Sequence, residues 1–128
     1  MQVVDQEAVR FLNGVNSVRD GYLVSLSVQD GEVESTRLVN LTFNVPRGTE
    51  GNVYKLELRG VVEFGYDFSS ENTLQQIEMV KCLWTDDGYF YLSLDPWKES
   101  EPFVSEQDND RFKSKSAKLT VERRVPTT

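Results

Sequence analysis

The sequence predicts an α+β fold made mainly of antiparallel strands, and three features of the chain point to it. Most of the chain alternates apolar and polar residues with a period of two, as strands with one buried face do. Turn signals such as Asp30-Gly31 and Asp86-Asp87-Gly88 separate these stretches. One short segment near the N-terminus has helical spacing instead. We therefore expect a short N-terminal helix followed by six or seven strands, arranged as a curved sheet, a sandwich or a partly closed barrel.

Length and composition predict a single domain over residues 1–128. The chain is 38% hydrophobic and 11% aromatic, which is sufficient for a core without metals or disulfides. It has one cysteine, Cys82, so an internal disulfide is impossible, and this is typical of a reducing compartment such as the cytoplasm. No apolar run reaches the roughly 18 residues of a membrane helix, and the first residues do not form a secretory signal. We expect a cytoplasmic protein that does not enter the membrane.

The helix is predicted over residues 4–13. Asp5 is a suitable N-cap, and Gly14 is a natural stop after the last turn. Three apolar residues fall on one face of this segment: Ala8, Val9 and Leu12.

Three alternating segments predict the next strands. Apolar residues that would share one face of each segment are Tyr22, Val24, Leu26 and Val28 in the first, Val39, Leu41, Phe43 and Val45 in the second, and Tyr54, Leu56, Leu58, Val62, Phe64, Tyr66 and Phe68 in the third. The third segment is either one long strand or two strands with a bend at Gly60. Its clean alternation indicates a sheet with one solvated face.

The second half of the chain predicts a hairpin and a final strand. Residues 77–84 and 89–94 would form a central hairpin that ends at Asp95-Pro96. Residues 95–116 are irregular, with a short helical turn expected at Ser105-x-x-Asp108. The last strand is indicated by Leu119, Val121 and Val125.

The residue types disfavour most catalytic and metal chemistry. The chain contains no histidine, so it lacks the commonest general base and the commonest metal ligand. Cys82 lies in an apolar strand and reads as a small buried hydrophobe. The pair Asp86-Asp87 reads as a turn, and the run 108–110 reads as a solvated turn because it lacks the spacing of a calcium loop. Phosphate-binding glycine motifs are absent. We expect no cofactor, no metal site and no catalytic residues.

The charge distribution suggests a protein partner rather than nucleic acid. The net charge is −7, which phosphate backbones repel. Residues 95–110 hold six acids and one base, and residues 111–128 hold six bases and one acid. Either the two blocks screen each other, or the acidic segment, with Trp97 and Phe103 interleaved, recognises a basic surface.

The aromatic strand before the acidic segment completes the candidate interaction surface. If Phe90 faces the core, Tyr89 and Tyr91 face a second layer, a groove or a partner. The predicted surface comprises Tyr89, Tyr91, Asp95, Trp97, Glu99, Glu101, Glu106, Asp108 and Asp110.

Two stretches of the last third of the chain resemble a group of known proteins. They read YFYLSLDPW over residues 89–97 and SEQDNDRF over residues 105–112. An aromatic strand that runs into Leu-Asp-Pro-Trp and then an acidic segment resembles small uncharacterised bacterial proteins, some of which look like immunity proteins of toxin systems. The resemblance implies a binding role and transfers no catalytic residue.

These features lead to three hypotheses. The first is a non-catalytic protein-binding module, most concretely an immunity-type inhibitor that blocks a bacterial toxin with an acidic, aromatic surface. The second is a small-ligand-binding, barrel-like protein with a cavity lined by the long Tyr- and Phe-rich strand. The third is an enzyme that uses carboxylates and tyrosines. A homodimer formed by pairing of exposed strand edges is a further expectation.

Overall fold

The computed structural model describes residues 1–31, 36–66 and 76–123. Within them the elements are β1 (Gln2–Val4), α1 (Asp5–Leu12), β2 (Tyr22–Asp30), β3 (Arg37–Asn44), β4 (Val53–Gly65), β5 (Lys81–Trp84), β6 (Phe90–Asp95) and β7 (Asn109–Glu122). The prediction of a mainly antiparallel sheet with one short helix is confirmed. The contributions predicted for Phe68 and Val125 lie outside the described residues. No helix in the described ranges is long and apolar enough to cross a membrane.

The described strands form one open antiparallel sheet. Their order is β2-β3-β4-β7-β6-β5, and β1 pairs with β7. One side of β7 pairs with β4 along almost its full length, whereas β6 pairs with the first part of the other side and β1 with the second part. The β5–β6 hairpin, predicted to be central, lies at one end, because the long strand β7 is inserted between β4 and β6.

One face of the sheet carries the core, which α1 covers. Central strands contribute alternate side chains to it, and their cross-strand partners share that face, as in the pair Leu41 and Leu56. The Phe11 ring of α1 packs on the Tyr54 ring with centroids 5.8 Å apart. The Tyr54 hydroxyl donates to the Asn16 carbonyl at 3.0 Å, and burial raises its pKa to about 12. In β4 the polar residues between these side chains, such as Lys55 and Arg59, lie exposed on the opposite face, which confirms the solvated face expected for this strand.

Register shifts change two of the predicted strand faces. A shift in β2 between Leu23 and Ser25 turns Val24 outward, so that Val24 is 59% exposed, whereas Leu23 packs against the core. Against β3, β4 has one extra residue between Leu58 and Val61; Val61 is in the core at 3% exposure, whereas Val62 is 48% exposed. The strict alternation predicted for Val24 and Val62 is therefore wrong, because a bulge adds one residue and reverses the in/out pattern beyond it. The alternative of one long strand is confirmed for β4.

The ends of α1 are stabilised differently from the prediction. The residue at the N-cap position is Val4, which provides no side-chain cap. Asp5 is thus not the N-cap; its carboxylate accepts a hydrogen bond from the Ala117 amide at 2.9 Å and ties the helix to β7. At the other end the Asn13 side chain donates to the Val9 and Cys82 carbonyls at 2.9 and 2.8 Å.

Candidate functional site

The face of the β5–β6 hairpin that points away from the core is buried as well. Cys82, Phe90 and Leu92 fill the core, so alternation directs Lys81 and Tyr91 to the other face. Both are nevertheless at most 2% exposed. Residues 96–108, which connect β6 to β7 and are called the anchored loop below, bind both of these side chains. The Phe103 carbonyl accepts from Lys81, and the Asp108 carboxylate accepts from Lys81 and Tyr91. The second layer predicted as one alternative beyond Tyr91 is therefore formed by this loop.

Asp108, the last residue of the anchored loop, is the centre of a buried hydrogen-bond network. Its carboxylate accepts from the backbone amides of Trp97 at 3.0 Å and Ser105 at 3.1 Å. The Tyr91 hydroxyl donates to it at 2.8 Å. The Lys81 ammonium lies 3.0 Å from each carboxylate oxygen. Asp108 therefore connects β5, β6 and two points of the loop.

Lys81 completes this network. Besides its two contacts with Asp108, its ammonium donates to the Phe103 carbonyl at 3.0 Å, so that three hydrogen-bond acceptors surround it. The side chains of Lys81 and Asp108 are 1% and 0% exposed. A buried charge pair is tolerated only when its remaining polar atoms are also paired, and this pair satisfies that condition.

The ionisation of the network follows from the same contacts. Burial opposes the charged form of Asp108, but hydrogen bonds from Trp97, Ser105, Tyr91 and Lys81 favour it, and its pKa lies below the ordinary value. Burial, followed by the hydrogen bond to Asp108, raises the pKa of the Tyr91 hydroxyl. Tyr91 thus remains protonated and acts as a donor.

The anchored loop holds exposed aromatic side chains on a fixed backbone. Trp97 and Phe103 are each 56% exposed. The backbone amide of Trp97 and the backbone carbonyl of Phe103 both bind the buried ion pair. Val104, next to Phe103, is 38% exposed. The loop consequently presents apolar side chains to solvent while its main chain is tied to the interior.

Acidic side chains surround these aromatics in two different roles. Glu99 is structural: its carboxylate binds Arg19 at 3.3 Å and accepts from the Val80 amide at 2.8 Å. Glu101 is different, because its Oε1 is buried and has no hydrogen-bond partner among the described residues. A polar cleft of about 580 Å³ lies beside the loop, and three further acids line it: Asp95, Glu106 and Asp110. The other lining residues are Gly65, Tyr66, Asp108, Asn109 and Arg111.

The structure removes two residues from the predicted interaction surface. Tyr91 and Asp108 are buried and bind each other, so they cannot contact a partner. Tyr89 is partly buried beneath the Lys113 ammonium, which lies 4.8 Å from its ring centroid. The solvated turn predicted for residues 108–110 is wrong at Asp108 for the same reason. The other seven members of the predicted surface, with Glu99 tied as described, stay a prediction: Tyr89, Asp95, Trp97, Glu99, Glu101, Glu106 and Asp110.

Lys81 is the site residue that sequence reasoning missed. It is the only charged residue besides Glu78 in the apolar run 77–84. A lysine on a strand between apolar residues requires either solvent or a buried partner. Its position in this apolar run is therefore the one sequence feature that could have indicated a buried ion pair. The partner, Asp108, lies 27 positions away, so no local pattern joins the two.

Cys82 and the acidic turn at Asp86-Asp87, the other groups considered for chemistry, have structural roles. Cys82 is 2% exposed, and burial raises its pKa, which confirms that it is a buried hydrophobe. The 86–88 turn is confirmed by the Gly88 amide, which donates to the Thr85 carbonyl at 3.0 Å. Among the described residues no group of three or more His, Cys, Asp or Glu side chains is placed to hold a metal.

Comparison with known proteins gave no match. No protein-family model, no curated protein and no solved structure matches the chain.

Proposed function

We propose that this chain is a non-catalytic protein-binding module and that the anchored loop is its contact surface. The observation that carries the proposal is the pair of half-exposed aromatics, Trp97 and Phe103, on a backbone held by the Lys81–Asp108 ion pair. Aromatic side chains contribute most to the binding energy of protein interfaces. A loop that is already ordered loses little conformational entropy when it binds.

The charge around the loop favours a basic partner. Three carboxylates besides the paired Asp108 line the adjacent cleft: those of Asp95, Glu106 and Asp110. Lys98 is the single base between residues 95 and 110. An arginine or lysine of a partner would interact favourably with the carboxylates of the cleft and with the aromatic faces. Opposite charges also accelerate the encounter.

In its most specific form the proposal is an immunity-type inhibitor of a bacterial toxin that acts in the cytoplasm. The resemblance of residues 89–97 and 105–112 to immunity-like proteins supports this form. The mechanism is occlusion: Trp97 and Phe103 pack onto the toxin, and the carboxylates meet basic residues beside its active site. This role requires no catalytic residue in the chain.

The test is binding between the purified chain and the product of the adjacent gene, measured by calorimetry. Exchanging both Trp97 and Phe103 for alanine should weaken binding by about a hundredfold or more, because interface anchors contribute ~2 kcal/mol each. Val15→Ala is the matched control, since Val15 is 80% exposed and lies outside the loop. The control should bind as the unmodified chain does.

Two outcomes would contradict the proposal. If the double variant binds as tightly as the unmodified chain, the loop is not the contact surface. If the adjacent gene encodes no toxin and its product does not bind, the immunity role is wrong.

The two other hypotheses have less support. The ligand-binding hypothesis relied on a cavity lined by the long strand, but its residues Tyr54, Leu56 and Leu58 are at most 1% exposed and pack in the core. The enzyme hypothesis needs converging buried carboxylates. Within the described ranges Asp108 is the one Asp or Glu that is buried as a whole residue, and Lys81 pairs with it.

A further inference from the structure

Asn13 connects the end of α1 to the strand β5. It occupies the C-cap position of the helix, and its side-chain amide donates to the Val9 carbonyl at 2.9 Å and to the Cys82 carbonyl at 2.8 Å. Nδ2 thus donates once within the helix and once to the β5–β6 hairpin. This contact requires a hydrogen-bond donor at the end of the side chain, which an amide provides and a carboxylate does not.

The residue after Asn13 is Gly14, although the described fold does not require a glycine there. The φ of Gly14 lies outside the left-handed region, and a Cβ added to it would have no neighbour within 4 Å among the described residues. The Gly14 amide donates to no described residue, and Asn13 is exposed. This is the single Asn-Gly pair in the sequence.

We propose that Asn13 is a site of spontaneous deamidation, a modification that releases α1 from β5. When the Gly14 amide loses its proton to hydroxide, its nitrogen bonds to Cγ of Asn13, the Cγ–Nδ2 bond breaks and ammonia leaves. Water then opens the cyclic imide at one of its two carbonyls, which gives aspartate or isoaspartate. Asparagine is a thermolabile residue. Glycine has no side chain to hinder the attack, and its backbone adopts the required geometry readily.

The product reverses the interaction at this position. An aspartate places carboxylate oxygens against the Val9 and Cys82 carbonyls, so that acceptors face acceptors and two hydrogen bonds are lost. The new negative charge also lies at the C-terminus of α1, where the helix dipole disfavours it. Because α1 has only eight residues, it depends on tertiary contacts for its stability. Deamidation therefore loosens the helix and leaves the Cys82 carbonyl without this donor.

Asn16 provides a matched control on the same segment. Its Oδ1 accepts from the Thr49 amide at 2.8 Å and from the Thr49 hydroxyl at 2.9 Å. A carboxylate accepts the same two hydrogen bonds, so Asn16→Asp adds the same charge as Asn13→Asp without losing these contacts. The residue after Asn16 is Ser17, which has a side chain, and its amide donates to the Gly14 carbonyl at 3.1 Å. We therefore expect Asn16 to deamidate more slowly than Asn13.

The first test is a time course on the folded full chain, incubated at mildly alkaline pH and analysed by peptide mass spectrometry. Trypsin releases residues 11–19 as one peptide, and its fragments report Asn13 and Asn16 separately. Fragments that contain Asn13 should gain the mass difference between an amide and a carboxyl group. Gly14→Ala should slow this change by about tenfold or more, because the added methyl group hinders the attack. The same chain unfolded in urea sets the time scale.

The second test measures the consequence of the modification. Asn13→Asp should lower the melting temperature by roughly 3 °C or more, because it loses two hydrogen bonds. Asn16→Asp should melt as the unmodified chain does. If Asn13→Asp does not fold, the measurement is made on the aged unmodified chain, from which ion exchange separates the deamidated fraction by its additional negative charge.

Three results would overturn the proposal. One is an Asn13 that stays an amide in the folded chain for as long as the urea-unfolded chain takes to convert. The second is a Gly14→Ala chain that deamidates at Asn13 as fast as the unmodified chain. The third is an Asn13→Asp chain, or a deamidated fraction, that is as stable as Asn16→Asp, because the modification would then release no contact.

Discussion

Lys81 shows how one residue can determine the position of a whole loop. A buried ammonium is costly unless its three protons are bound, and here the acceptors are two oxygens of Asp108 and the carbonyl of Phe103. The same contacts bring residues 103 and 108 against β5. The lysine therefore contributes to structure through the loop that it holds, even though it is not itself exposed.

The first prediction concerns this ion pair. Lys81→Met removes the cation, leaves Asp108 charged and buried, and should lower the free energy of unfolding by about 3–5 kcal/mol. Lys55→Met is the control, because Lys55 forms an exposed pair with Glu122 at 3.2 Å, and its loss should cost about 1 kcal/mol or less. Urea denaturation of both variants measures the difference. Equal losses in the two variants would mean that the buried pair contributes no more than a surface pair.

At the scale of elements, bulges determine which side chains enter the core. β4 continues past Gly60 because this residue adopts a φ of +65°, and a residue without a side chain does so at no steric cost. The register of β4 against β3 shifts between Leu58 and Val61, across this glycine, and Val61 rather than Val62 is buried. β4 thus stays paired with β7, but the residues that point into the core are even-numbered before Gly60, as at Leu58, and odd-numbered just after it, at Val61.

The second prediction concerns Gly60. Gly60→Ala should lower the free energy of unfolding by roughly 1–2 kcal/mol, the cost of a left-handed conformation for a residue with a side chain. The added Cβ would also lie 3.1 Å from the Lys115 side chain. In Gly65→Ala, the control, the added Cβ has no neighbour within 4 Å, and this variant should be as stable as the unmodified chain. Thermal melting of the two variants measures the difference in stability. If Gly60→Ala has the same melting temperature as Gly65→Ala, the role assigned to Gly60 is wrong.

At the scale of the molecule, charge is distributed unevenly between interior and surface. The net charge is −7, yet one acid, Asp108, is neutralised inside by Lys81. Asp95, Glu106 and Asp110 lie beside the anchored loop and line its cleft. The interior acid instead couples the stability of the whole fold to pH.

The third prediction concerns that coupling. The pKa of Asp108 is lower in the folded chain than its ordinary value of about 3.9. Below about pH 4 the unfolded chain therefore takes up a proton that the folded chain does not, and the stabilisation, complete at higher pH, falls as the pH falls. Asp108→Asn should have a much lower free energy of unfolding than the unmodified chain at neutral pH. This difference between the two chains should become smaller in acid. Denaturation curves over a pH series measure the gap, with Asp86→Asn as the control for net charge. A gap that stays constant into acid would exclude a role for Asp108 ionisation.

The strands themselves were predictable because alternation is a local property. The segments around Leu41, Leu56 and Leu92 show it directly, and each forms a strand. The first part of β7 was missed because residues 109–116 are mostly polar and their alternation is weak. Trp97 was recognised from the sequence as part of an acidic, aromatic segment, but no local pattern distinguishes an exposed tryptophan from a buried one.

The sequence by itself determined the antiparallel class, the turns and the missing histidine chemistry, since each depends on residue type or on neighbours a few positions apart. Only the tertiary structure decided that Tyr91 and Asp108 are interior residues and that Trp97 and Phe103 remain outside on a loop tied to the core. It also decided that β2 and β5 are the ends of the sheet. The physical reason is that burial and edge position depend on contacts between distant segments. The bond from Lys81 to Asp108 spans 27 residues, and the pairing of β1 with β7 spans nearly the whole chain.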